Sequence, residues 1–196
     1  MLEFEIYSPE EELEDPLFTE KGVRVYVKRD DMIHPFISGN KWRKLKHTLE
    51  KARAEDKKLL VTFGGAYSNH LLATACAGAK FGFQTIGFVR GEEVNNPTLM
   101  LCKLFGMELR FIDRERYRNK KEVFVTNFQQ DTSAMFIDEG GAGEDAVEGC
   151  SELVGELKQN YDHIFCAAGT GTTAAGILRG VQQRGMDTRV HVVPVL

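Results

Sequence analysis

From residue 59 to the end of the chain, apolar runs of strand length alternate with helical stretches. No other feature constrains the fold as much. LLVTF (59–63), QTIGFV (84–89) and MELRFI (107–112) read as strands, and MFIDEGGAGE (135–144) as a short strand entering a Gly-rich turn. Between them lie an Ala-rich helix closed by Gly82 and a helix that starts after Asn96-Pro97 and closes at Gly106. A helix in EDAVEGCSELVGEL follows, then strand, Gly-rich turn and helix in HIFCAAGTGTTAAGILRGVQQRG, then a last strand in RVHVVPVL. Strands that alternate with helices predict an α/β fold with a mainly parallel sheet. Upstream, residues 1–20 are acidic, carry Pro9 and Pro16, and suit an extended lead-in. VRVYVK (23–28) reads as a strand and RDDMIHPFISGN as a loop. A helix then runs from Asn40 to about Asp56, with Trp42, Leu45, Leu49 and Ala52 on one stripe. RERYRNKK (114–121) is a charge run, read as a solvated face.

The composition narrows the function classes. The formal net charge of −4 disfavours a general electrostatic role on nucleic acid. The longest apolar runs fall short of the roughly 20 residues that cross a bilayer. The acidic N-terminus has no apolar core of a secretory signal. Cys76, Cys102, Cys150 and Cys166 form no C-x-x-C pair and sit in or beside apolar segments, which suits free thiols in a reducing compartment. A cytoplasmic protein without membrane or nucleic-acid partners, and without a metal site, is the expectation.

Three motifs can carry chemistry. In Ser38-Gly39-Asn40-Lys41-Trp42-Arg43-Lys44-Leu45, Ser38 or Asn40 can cap the helix. Lys41 then stands in the first turn and Lys44 one turn later on the same side. A lysine is electrostatically unfavourable there unless an anion lies nearby. Burial would lower its pKa and suit Schiff-base chemistry. The plain alternative is two solvated lysines on a surface helix. Phe63-Gly64-Gly65-Ala66-Tyr67-Ser68-Asn69-His70 follows a strand and opens a helix, where open α/β sheets bind ligands. Ser68 or Asn69 could equally be an ordinary N-cap, and His70 a packed or capping histidine. In Ala168-Gly169-Thr170-Gly171-Thr172-Thr173-Ala174-Ala175-Gly176, backbone N–H groups, threonine hydroxyls and a helix N-terminus suit a phosphate. The spacing is neither G-x-G-x-x-G nor a P-loop, and a tight βα turn is the plain reading. Together the three motifs suggest a phosphorylated cofactor bound through lysine.

SGNKWRKL, FGGAYSNH, EGGAGEDAVEG and AAGTGTTAAG, in that order, resemble the 1-aminocyclopropane-1-carboxylate deaminase and D-cysteine desulfhydrase family. These are fold type II pyridoxal-phosphate enzymes of the tryptophan synthase β-subunit type. The resemblance implies two three-layer α/β/α domains with mainly parallel sheets. Residues 1–47 and 159–196 would form the larger, cofactor-binding domain and residues 48–158 a smaller inserted one. Family members run to about 300 residues or more, so the C-terminal part of the larger domain is expected to be absent. The resemblance makes Lys41 the Schiff-base lysine and a proton carrier, and Lys44 a phosphate neighbour. It makes Asn69 the partner of the pyridine 3′-oxygen and Ser68 a substrate-side or proton-handling residue. Gly169, Thr170, Gly171, Thr172 and Thr173 become the phosphate loop, and Ser68, Asn69 and His70 line the substrate. It implies a lyase or hydrolase acting on a small amino acid, D-cysteine or 1-aminocyclopropane-1-carboxylate, in a homodimer. SNH, where the deaminases proper tend to carry SNQ, leans toward desulfhydrase-like chemistry. Tyr67 in place of the usual glutamine, and Leu71-Leu72 where an arginine is common, leave the substrate open. The competing reading is a truncated or degenerate cofactor-binding protein without catalysis. A dinucleotide-binding domain ranks last, since the strand after the Gly-rich turn ends in Pro194-Val195-Leu196 rather than an acidic residue.

Overall fold

The computed structural model describes residues 5–195. Strand β1 (Glu10–Leu13) is followed by helix α1 (Pro16–Lys21) and strand β2 (Val25–Lys28), which pairs antiparallel with β1. The helix corrects the extended lead-in expected for residues 1–20, of which residues 1–4 lie outside the described residues. Its signals are complete but local: the Asp15 carboxylate accepts from Leu17 N, Pro16 starts the helix, and Gly22 ends it at φ 63°. Six residues are too few for a helical period to show in the sequence.

A short 3₁₀ turn (Asp30–Met32) leads to α2 (Asn40–Ala54). The expected stripe of Trp42, Leu45, Leu49 and Ala52 is buried. It packs with Leu60, Ala73, Ala77 and Ile137 in one cluster. Truncating Leu45 or Leu49, both fully buried, to alanine would cost about 2–5 kcal/mol.

The centre of the molecule is a four-stranded parallel sheet of β3 (Leu59–Gly64), β4 (Gln84–Arg90), β5 (Met107–Ile112) and β6 (Ala134–Ile137), in the order β5-β4-β3-β6. Every residue of β3 is buried, which is why it reads as a continuous apolar run instead of an alternation. Helices α3 (Asn69–Phe81) and α4 (Pro97–Leu104) cover one face; α5 (Arg114–Arg118) and α6 (Lys120–Phe128) lie on the other. Leu60 belongs to the cluster with α3, whereas Leu59, Val61 and Phe63 join Val123 and Phe128 of α6. The charge run 114–121 thus forms α5 and opens α6. It is exposed at most positions, but Tyr117 turns inward against Phe63. Helix α6 was not legible in the sequence, because only Val123 and Phe128 of its nine residues are buried.

The chain continues through a second 3₁₀ turn (Glu139–Gly141) into α7 (Glu144–Gly155), β7 (His163–Ala168), α8 (Thr172–Gln183) and β8 (Arg189–Pro194). β7 and β8 pair in parallel as a separate two-stranded sheet, with α8 on one face through Ile177 and Val181. Phe165 and Val193 stand exposed on these strands. Among the described residues no helix is long and apolar enough to cross a membrane. The architecture is α/β with mainly parallel sheets, as the alternation predicts.

Candidate active site

The site is built where α2, α7 and α8 close on one another. Three glycines permit that closeness. A β-carbon at Gly149 of α7 would lie 2.0 Å from the Arg43 carbonyl oxygen of α2. One at Gly176 would lie 2.3 Å from Cys150 Cβ, and one at Gly180 2.6 Å from the Ser151 carbonyl oxygen. The N-terminus of α2 is thereby held beside the turn between β7 and α8.

Neither expected residue caps α2. Gly39 is the N-cap, at φ 59° and ψ −140°, a conformation that L-residues avoid. Ser38 lies 3.5 Å from the Asp31 carbonyl oxygen. The side chain of Asn40 instead crosses to α8 and donates to Thr173 Oγ1 at 2.8 Å. Sequence reading missed Asn40 as a site residue, since its partner is 133 positions away.

Lys41 and Lys44 share the side of α2 that faces this turn. They border a cleft of about 170 Å³ together with Gly140, Gly169, Thr170 and Thr173. Lys44 is 3% exposed, which overturns the reading of two solvated lysines. Its ammonium lies 3.3 Å from the Gly140 carbonyl oxygen and 3.4 Å from Thr170 Oγ1. Burial lowers the Lys44 pKa. Burial, and then the charge of Lys44, bring that of Lys41 down to about 8. Among the described residues neither lysine has a carboxylate within ion-pair distance. Opposite them, Gly171 begins α8 at φ 78° with no side-chain cap. The first N–H groups of that helix lack intrahelical partners and carry the positive end of its dipole. Two cations and a bare helix N-terminus around one cleft make a receptor for an anion.

Of the residues expected to act together, the structure gathers Lys41, Lys44, Gly169, Thr170, Gly171 and Thr173 around the cleft. Thr172 is buried just behind, its hydroxyl 3.2 Å from that of Thr170. Ser68 and Asn69 stand at the start of α3 and do not line the cleft. Ser68 Oγ accepts from Leu71 N at 3.3 Å as the N-cap, and Asn69 is exposed. The ring of His70 is buried and bonded to Thr62, turned away from solvent.

A second residue escaped the sequence reading. Arg43, between the two lysines in sequence, is 2% exposed. It forks onto Asp30 (2.6 and 2.7 Å) and onto Glu156 (2.8 and 2.9 Å). Lys28 adds a 3.0 Å contact to Glu156. This clamp fixes the rotation of α2 and so the direction of Lys41 and Lys44. Among the described residues no group of three or more His, Cys, Asp or Glu is placed to hold a metal ion. Cys76, Cys102 and Cys150 are buried free thiols, and Cys166 is half-buried.

Residues 12–195 match the family model described as "Pyridoxal-phosphate dependent enzyme". A Thermotoga maritima protein provisionally named 1-aminocyclopropane-1-carboxylate deaminase is 35% identical over 170 residues, covering 82% of this chain and 54% of that protein. The Arabidopsis thaliana bifunctional D-cysteine desulfhydrase/1-aminocyclopropane-1-carboxylate deaminase, a mitochondrial protein, is 26% identical over 196 residues, covering 89% of this chain and 49% of its own. The crystal structure of an ACC deaminase homologue superimposes with a TM-score of 0.84 at 30% identity, covering 96% of this chain and 61% of that one. The chain spans about half the length of the curated relatives it matches. Their names are those of deaminases and desulfhydrases, and the hydrolase class entertained above finds no support in them.

Proposed function

The chain belongs to the pyridoxal-phosphate dependent enzyme family, and we propose that its cleft binds pyridoxal 5′-phosphate in the service of a deaminase or lyase reaction on a small amino acid. The substrate in this reading is D-cysteine, which with water gives pyruvate, hydrogen sulfide and ammonia, or 1-aminocyclopropane-1-carboxylate, which with water gives 2-oxobutanoate and ammonia. One observation carries it. Lys41 and Lys44 face the Gly169–Thr173 turn across a cleft in which, among the described residues, no carboxylate balances them. The residues fit the cofactor: an amine with a lowered pKa for its aldehyde, and an ammonium with a helix N-terminus for its phosphate.

When bound, the cofactor would supply an electron sink for negative charge developing at the substrate α-carbon. The protein's part is positioning and proton handling. With a pKa of about 8, Lys41 has a neutral fraction near physiological pH, so it can act as a nucleophile and then exchange a proton. Lys44, Thr170 and the α8 N-terminus hold the anion and keep the reactive end beside Lys41. Ser68 and Asn69 serve the substrate side from the start of α3. Residues 1–47 and 159–196 act as the cofactor-binding unit, and residues 48–158 as the smaller one. A cytoplasmic homodimer completes the proposal.

The test is to add pyridoxal phosphate to the purified chain, record the visible spectrum, reduce with borohydride and map the labelled peptide. The reading requires a pyridoxyl group on Lys41 and none in Lys41→Ala. Label on another lysine, or no uptake at all, overturns it. The second reading is a cofactor-binding protein without catalysis. It predicts label on Lys41 with no release of sulfide, pyruvate or 2-oxobutanoate.

A further inference from the structure

His70 is a buried titratable side chain to which the chemistry above assigns no task. Its hydrogen bonding fixes its protonation pattern. Thr62 Oγ1 lies 2.9 Å from the Ile137 carbonyl oxygen and 2.8 Å from His70 Nε2. A carbonyl can only accept, so the single hydroxyl proton of Thr62 is committed to Ile137. The contact with the imidazole therefore runs from Nε2–H to Thr62 Oγ1. The other nitrogen, Nδ1, carries a bare lone pair and has no hydrogen-bond partner among the described residues. Burial, with Lys41 and Lys44 nearby, holds the pKa down to about 3 and the ring neutral.

The unpartnered edge of the ring abuts the second 3₁₀ turn. A β-carbon at Gly141 would stand 3.2 Å from His70 Cε1, 3.4 Å from Nδ1 and 3.3 Å from Lys44 Cβ. The imidazole and the stem of Lys44 therefore both lie against the side of this glycine where a side chain would stand. The preceding residue, Gly140, turns its carbonyl oxygen to the Lys44 ammonium. A β-carbon at Gly140 would lie 3.1 Å from Thr170 Cγ2. Contacts thus run without a gap from Thr62 in the central sheet, through His70 and the Gly140-Gly141 turn, to Lys44 and Thr170 at the cleft.

We infer that His70 is a positioning residue: a neutral imidazole, locked as its Nε2–H tautomer by Thr62, that props the Gly140-Gly141 turn and so presents Lys44 to a phosphate monoester in the cleft. The inference rests on the anion-binding part of the proposed function and adds to it a residue that touches neither cofactor nor substrate.

Two measurements on the whole 196-residue chain, free of cofactor, test it. The first is a long-range proton–nitrogen correlation spectrum of the histidine rings. It should show His70 protonated at Nε2 and bare at Nδ1. The second is calorimetric titration with inorganic phosphate, alongside thermal melting, for the unaltered chain and three variants. His70→Gln puts an amide N–H close to the position of Nε2 and should keep phosphate affinity within about twofold. His70→Leu removes the donor and should weaken phosphate about tenfold at temperatures where the protein is folded. Thr62→Val leaves the imidazole in place without its acceptor and should also weaken phosphate, which covers the case in which His70→Leu does not fold. A purely structural role would lower the melting temperature of Leu and Val variants and leave phosphate affinity alone. That result, or an Nδ1–H tautomer, overturns the inference. If the unaltered chain takes up no phosphate, the anion site itself is refuted. If it binds phosphate and the variants match it, only the role of His70 falls.

Discussion

Replacing Arg43 by methionine removes a cation that is almost fully buried and joined to two carboxylates. Methionine fills much of the same space, so the loss is mainly electrostatic. The penalty falls chiefly on Asp30, whose side chain is 14% exposed and, among the described residues, keeps only Ser8 Oγ, at 2.7 Å, as a side-chain partner. Glu156 is a third exposed and retains Lys28, so water and that lysine absorb most of its share. Breaking a buried pair by removing one partner costs about 3–5 kcal/mol. For a chain of this size that corresponds to a fall in Tm of about 6–20 °C. The acid limb should change as well. In the intact protein burial raises the Glu156 pKa, but the Arg43 hydrogen bonds, with Lys28, outweigh it and leave the carboxyl below its ordinary value. A depressed carboxylate contributes stability that is present above its unfolded pKa and lost as pH falls through its folded pKa. Arg43→Met should therefore flatten the loss of stability on acidification below about pH 5. Differential scanning calorimetry at several pH values checks both effects. Adding Asp30→Asn and Glu156→Gln to Arg43→Met should recover more than half of the lost Tm, because neither carboxylate is then left without the guanidinium, while Lys28 keeps the Ser8 carbonyl oxygen. A shift in Tm under about 2 °C for Arg43→Met, or no recovery in the triple variant, would refute the clamp.

Lys41→Met should raise stability at pH 7 by up to about 3 kcal/mol, since the lysine is protonated in both states there yet its charge is disfavoured by burial in the folded one. Its folded pKa lies below its unfolded one, so the unfolded chain binds more protons between about pH 8 and 10.5. The stability of the unaltered chain should climb through that window, and denaturant melts of Lys41→Met should show no such climb. Gly149→Ala should cost about 1–3 kcal/mol and weaken capture of pyridoxal phosphate, because the new methyl group meets the Arg43 carbonyl at 2.0 Å and must push α2 from α7. An unchanged melting curve and cofactor titration would count against close contact between those helices.

The strands of the central sheet and most helices were legible as far as local patterning reaches, but the order of the strands was not. Fully buried strands wrote themselves as apolar runs, and α2 showed its stripe because four residues share one buried face. Helix α1 was hidden by its brevity, and α6 by its mostly exposed surface. In the site, Lys41, Lys44 and the turn at 169–173 were visible because their oddity is local: lysines where a helix dipole disfavours them, and glycines and threonines where a helix starts. The expected caps at Ser38 and Asn40 failed because a capping preference by residue type cannot sense the backbone at Gly39 or the distant hydroxyl of Thr173. Arg43 left no trace in the sequence beyond its place in the motif. Its partners Asp30 and Glu156 come from segments 13 and 113 residues away, and only folding brings them to one guanidinium.

The bond between Asn40 and Thr173 spans 133 positions, whereas the antiparallel pair β1–β2 closes across 12 at Leu13 and Val25. Closing the longer loop costs about 2 kcal/mol more in chain entropy, and it must be met before any contact in the cleft repays it. During synthesis the ribosome must release Thr173 before either lysine of α2 can meet its counterpart. The hairpin and the central sheet can form earlier, from residues already made. Cofactor capture is therefore a late event in the life of the polypeptide, and a bound chromophore would report that the chain has finished folding rather than that one segment has.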